Sequence, residues 1–369
     1  MPDPLPTLTI IRDDLFDRAI AEAPDAPAVF LVWPAAGAPY LAKTAALRRR
    51  LLRLLKEREK PSRLLSLRQS ATRVECWVTG SALESALRLY QLARVHFPKT
   101  YLELLRLRFP PYVKIILDNP FPRSQVTTHI GRGPAFYYGP FRTRATAEEF
   151  EARFCDLFQM RRCSEDLEPS PQHPGCIYGE MGMCLRPCQQ VVGVEEYRHE
   201  VDRVTQFLGT GGRSLAATVA SARDRLSQEM NFEEASRQHK RLEKIEGVLR
   251  LKDELVADTD RLHGVAVTAS VDAGSVELWF VHRGAWQPPL RFPVAAPSVS
   301  LDQRLRESIG AIEWKTPGAR ERQEHLALLA RWYYSSWREG EWLGFESVDE
   351  VPFRRLVRVI SRVAQKPVG

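Results

Sequence analysis

The sequence predicts an α+β protein, on three observations. Short strand-like and helix-like patterns alternate before residue 107, a proline- and glycine-rich segment carries four of the six cysteines, and a strongly helical stretch over 195–255 gives way to strand alternation at 262–295. Taken in order, residues 1–24 form a proline-rich N-terminal extension with a short helical stretch. AVFLV at 28–32 and YLA at 40–42 read as two short strands about the turn 34–39. Thr44 to Lys60 reads as a basic helix with apolar Leu47, Leu51, Leu54 and Leu55, RVECWVT at 73–79 as a third strand, and 81–97 as a further helix. The order β-β-α-β-α marks 25–107 as a small α/β domain. Residues 108–195 are a β-rich segment containing the cysteines, 196–258 a helical hairpin, 259–299 a small β region and 300–369 a helical C-terminal region.

The net charge of +7 and pI of about 9.1 favour an anionic partner such as nucleic acid. No run of about 18 apolar residues is present, so no membrane span is expected. The N-terminus lacks a basic region followed by an apolar one, so a cytoplasmic location is expected.

Cys163, Cys176, Cys184 and Cys188 are spaced C-x12-C-x7-C-x3-C, with Pro174, Gly175, Gly179, Gly182 and Pro187 supplying turns. Four thiolates are a full ligand set for tetrahedral zinc or for an iron–sulfur cluster, and spacing does not separate the two. Binding would act mainly as folding energy for so loop-rich a segment. Cys76 in a strand pattern and Cys155 in a helix pattern read as core thiols.

PFPR at 120–123, YYGPF at 137–141, CLRPC at 184–188 and NFEEASRQHKRL at 231–242 stand in an order that resembles the N-terminal half of the UvrC family. There a GIY-YIG nuclease domain precedes a cysteine segment and a UVR helical hairpin. The resemblance covers roughly 25–295 and implies a four-iron four-sulfur cluster at the cysteines, with zinc as the alternative. It places the first nuclease motif on Ala28-Val29-Phe30 and the second on Tyr40-Leu41-Ala42, ten residues later, which is the family spacing. Tyr40, Lys43 and Arg50 then match catalytic positions. Phe30 stands where the family has tyrosine, Leu89 where it has the metal-binding glutamate, and Tyr101 where it has asparagine. Leucine cannot ligate a hard cation, which takes oxygen ligands, so the resemblance implies a degenerate and inactive nuclease, with Mg or Mn relevant only to an active site. Arg50 can still grip phosphate through its forked donors, and Arg48, Arg49, Arg50, Arg53 and Lys56 form the expected DNA-binding face.

Leu215, Val219, Ala222, Leu226 and Met230, then Phe232, Ala235, Leu242, Ile245 and Leu249, give two apolar helical stripes broken at Met230-Asn231. By resemblance this hairpin pairs with UvrB through Phe232, Glu233, Ala235, Arg237 and Leu242. Residues 300–369 are too short for the RNase H-like domain of full-length UvrC. Asp258, Asp260, Asp272, Asp302, His263 and His325 read as scattered surface residues. The expectation is a UvrC-like, repair-associated protein that binds DNA and UvrB without cutting. The alternatives are an active single-incision endonuclease and a regulatory protein-interaction module.

Overall fold

The computed structural model describes residues 5–56, 63–295 and 300–365, and its mixture of helix and sheet is α+β. The N-terminal sheet holds β1 (Leu8–Ile11), β2 (Ala28–Pro34), β3 (Tyr40–Thr44) and β4 (Ala71–Val78) in the order β1-β4-β2-β3, antiparallel throughout. Around it lie α1 (Phe16–Glu22), α2 (Leu47–Leu54), α3 (Arg63–Ser70), α4 (Ala82–His96) and α5 (Tyr101–Leu105). The unbroken apolar run of β2 is explained by cover on both faces. Ala28, Phe30 and Val32 meet Ile10, Phe16, Ile20, Leu47 and Leu51, while Val29 and Leu31 meet Leu83, Leu87 and Tyr90 of α4. The Ser81 side chain accepts the Glu84 amide and so caps α4.

Two expectations change here. The expected N-terminal extension 1–24, described from residue 5, enters the fold: β1 extends the sheet along β4, and Phe16 and Ile20 enter its core. The basic helix ends at Leu54 rather than Lys60, of which 57–60 lie outside the described residues.

A second sheet runs β6-β5-β7-β8, from β5 (Tyr112–Ile116), β6 (Ser124–Thr127), β7 (Ala135–Gly139) and β8 (Ala257–Asp258). It packs with α6 (Arg144–Cys155) and α8 (Val194–Gly209), and between these two helices the cysteine segment carries one helical turn, α7 (Ile177–Glu180). The hairpin is α9 (Arg213–Gln228) and α10 (Phe232–Leu249). Gly211 and Gly212 open it in left-handed conformation, and a side chain on Gly212 would collide with Leu249. Asn231 caps α10 after Met230, itself at φ 59°. Val219, Ile245 and Val248 anchor the base of the hairpin among Phe150, Phe154 and Phe207.

The C-terminal sheet has β9 (His263–Ala269), β10 (Ser275–His282), β11 (Ala285–Trp286), β12 (Leu290–Pro293) and β13 (Glu341–Phe345), ordered β11-β10-β9-β13 with β12 also on β10. Its helices are α11 (Leu301–Gly310), α12 (Ala319–Tyr333) and α13 (Phe353–Gln365). The region read as wholly helical therefore contains a strand, β13, which seats Trp342 and Leu343 in the core against β9. The set of scattered surface acids and histidines is corrected too. Asp258 is buried, and His325, at 5% exposure, accepts the Trp286 amide on its Nδ1.

Burial holds His325 down, to about 4. A histidine of ordinary pKa about 6.5 in the unfolded chain takes a proton that the native side chain refuses, so stability falls as pH drops from 6.5 toward 4. Urea unfolding over this window should show the native chain losing about 3 kcal/mol more than His325→Gln. Parallel pH profiles for the two proteins would refute this.

One apolar cluster joins the three sheets: Val29, Leu31 and Leu87 share it with Tyr112 and Tyr137, and with Trp279, Leu326, Trp332 and Trp342. Helix α12 thereby lies on α4. Among the described residues no helix is long and apolar enough to cross a membrane.

Candidate functional site

Strand pairing sets Val32 opposite Tyr40 and Phe30 opposite Ala42, so Phe30 and Tyr40 share one face of the sheet, their ring centroids 6.2 Å apart. Arg50, one turn into α2, reaches over that face and donates from Nη2 to the Tyr40 hydroxyl at 3.3 Å. Two of the three matched positions thus touch. Lys43 alternates to the opposite face, and its ammonium is held below its usual range, first by desolvation and then by the Arg331 guanidinium of α12. Phe30 is fully buried. Leu89 packs against the α4–α12 core rather than beside Tyr40. Glu84, the nearest carboxylate in sequence, is buried and turned back to accept the Gly80 amide at 2.8 Å, and burial raises its pKa. Among the described residues no three or more His, Cys, Asp or Glu side chains are grouped to hold a metal ion. What remains is a tyrosine–arginine pair that offers donors to an anion.

The basic face of α2 is partly engaged within the protein. Arg48 donates to the Ala23 carbonyl at 2.6 Å and Arg49 pairs with Asp25 at 3.1 Å, whereas Lys56 is exposed. Arg53 is exposed on the same helix and has a contact of its own.

Tyr101 belongs to a constellation that the spacing argument did not find. Glu324 of α12, 2% exposed, accepts the Tyr101 hydroxyl at 2.6 Å and the Tyr90 hydroxyl at 2.7 Å, and Arg320 reaches it at 3.2 Å. Arg94 of α4 bonds Glu321 at 2.7 Å. These groups line a cavity of about 630 Å³ between α4 and α12. The only sequence signal was a pair of tyrosines on α4 and α5 and acidic residues on α12, more than 200 positions away.

The cysteine segment is held by a fully buried cation. Arg161 donates from Nε to the Phe121 carbonyl and from Nη1 to the Glu165 carbonyl, both at 2.8 Å, and Nη1 also faces the Cys163 sulfur at 3.4 Å. Its Nη2 has no hydrogen-bond partner. A buried guanidinium needs a nearby counter-charge, and the group it faces is a thiol that becomes anionic on ligation. The Arg186 amide points at the Cys184 sulfur at 3.4 Å. Cys184 and Cys188 are raised chiefly by burial, Cys184 to about 11, and each is raised further by Cys163 and Cys176. The four sulfurs are therefore electrostatic neighbours. Among the described residues these thiols are nevertheless not gathered into a set that could hold a metal ion.

At the hairpin tip Met230 and Phe232 are 74% and 62% exposed. Glu233 and Arg237 are exposed and pair with each other at 2.8 Å. Ala235 is buried and Leu242 packs half-buried on the core, so these two expected partner contacts face inward.

The family model for the UvrC/Cho excinuclease middle domain matches residues 111–207, which hold β5 to β7, the cysteine segment and most of α8. The UvrABC system protein C of Moorella thermoacetica is 27% identical over 269 residues, covering 73% of this chain and 43% of that protein. Its counterpart in Desulforudis audaxviator is 30% identical over 227 residues, 61% of this chain and 36% of that protein, and in Lachnospira eligens 24% over 250 residues, 66% and 40%. The chain spans about two fifths of the length of these curated relatives. No solved structure matches. By this family model and these relatives the chain is a UvrC-like protein.

Proposed function

We propose that this chain acts in nucleotide excision repair as a DNA-binding, UvrC-like protein whose nuclease site does not cut. The observation that carries the reading is the Tyr40–Arg50 pair, retained on the sheet while Leu89 and Tyr101 are built into the α4–α12 core. Phosphate binding needs only donors. Cleavage in this family also needs a divalent cation to stabilise charge on the leaving oxygen, and the position of its ligand is leucine. The four cysteines would hold a four-iron four-sulfur cluster, which supplies folding energy when bound. The exposed Met230 and Phe232 would seat on UvrB, flanked by Glu233 and Arg237.

Incubation of the protein with nicked and lesion-bearing duplex in magnesium or manganese should give no incision. Arg50→Ala should weaken duplex binding about ten-fold, the loss of one charge-assisted phosphate contact. Cutting that disappears in Arg50→Ala would replace this reading with an active endonuclease.

A further inference from the structure

Helix α13 has the most sharply divided surface in the chain. Leu356, Val359, Ile360 and Val363 are buried against β9, β10 and α11. Arg354, Arg355, Arg358 and Arg362 are exposed. At 3.6 residues per turn these four arginines fall within an arc of roughly 100°, away from the apolar face. Arg362 is tied to Glu341 at 2.5 Å. Among the described residues Arg354, Arg355 and Arg358 form neither hydrogen bond nor ion pair through their side chains. Asp349 and Glu350 precede the helix, where its N-terminal dipole favours acids, and neither pairs with these arginines. On α2, by contrast, Arg48, Arg49 and Arg50 are each engaged internally. On the opposite, apolar face Val363 lines a cavity of about 670 Å³ together with Lys43, Ser81 and Arg338.

We infer that α13 is a contact surface for a nucleic-acid phosphodiester backbone, engaged through Arg354, Arg355 and Arg358. This rests on the DNA-binding reading above and relocates its main surface from α2. Forked guanidinium groups suit phosphate oxygens. The contact is sequence-tolerant, since only backbone charge is met. A lipid surface is the poorer fit, because a helix that binds membranes inserts its apolar face, and that of α13 is already in the core.

The test is the salt dependence of duplex binding by the full chain, followed by fluorescence anisotropy from 50 to 200 mM salt. Three proteins are compared: the native chain, Arg354→Gln/Arg355→Gln/Arg358→Gln, and a charge-matched Arg198→Gln/Arg225→Gln/Arg250→Gln variant. Circular dichroism checks that each is folded. Three phosphate contacts contribute about 2.7 to the logarithmic salt slope, so the native chain should lose about forty-fold more affinity across that range than the α13 variant. The matched variant should follow the native chain. If the α13 variant binds like the native chain, or the matched variant weakens as much, α13 is not the contact and DNA binding itself stands. If the native chain does not bind duplex at 50 mM salt, both readings fall. Binding to anionic phospholipid vesicles but not to duplex, abolished by the α13 substitutions, would overturn the inference in favour of a membrane.

Discussion

Replacing Arg161 by alanine should cost about 4 kcal/mol of stability in urea unfolding. Two of its bonds, to the carbonyls of Phe121 and Glu165, are charge-assisted and short, and each such bond contributes about 1.5–3 kcal/mol. The residue also joins the chain on both sides of the cysteine segment, because its amide donates to the Tyr197 hydroxyl, which in turn donates to the Pro122 carbonyl. The alanine variant keeps that amide bond but loses the side-chain ties from Phe121 to Glu165, so the segment should loosen locally as global stability falls. Arg161→Lys should recover little, since an ammonium cannot span the same carbonyls with one planar fork. A loss below about 1 kcal/mol for the alanine variant would show that the cation is dispensable.

Glu324→Ala should be nearly as severe. It takes the acceptor from the hydroxyl protons of Tyr90 and Tyr101, both buried, whose oxygens keep only the donors of Arg94 and Arg320. Each unsatisfied buried group costs about 1–3 kcal/mol, which gives about 4 kcal/mol for the pair. Tyr90→Phe/Tyr101→Phe, which takes both hydroxyl donors from a buried carboxylate and leaves it only Arg320, should cost about as much as Glu324→Ala. Adding the alanine to that double variant should show strong non-additivity in thermal unfolding. Simple additivity would mean that the carboxylate acts elsewhere.

The readable parts of the fold were local ones. Leucines at 47, 51 and 54 place α2 correctly, and Gly211-Gly212 and Asn231 mark both breaks of the hairpin. The ten-residue spacing of Phe30 and Tyr40 reflects strand pairing across a short turn, so the Tyr40–Arg50 pair could be reached by counting. Whatever depends on distant chain could not. Leu89 and Tyr101 read as lost ligands, but only α12, over 200 residues on, reveals that Tyr101 has acquired a new partner. The engagement of Arg48 and Arg49 depends on Ala23 and Asp25, which lie before the strands. Strand β13 was hidden in an aromatic-rich stretch whose pattern fits helix equally well.

The apolar cluster under α4 bears on what position 89 can hold. Leu83, Leu87 and Tyr90 lie with Leu326, Leu329 and Trp332 in one interior, and Leu89 leans on it. A carboxylate placed at position 89 would sit half-buried against this apolar cluster, beside neither Tyr40 nor Arg50. A Leu89→Glu substitution should therefore lower stability unless residues of α12 change with it.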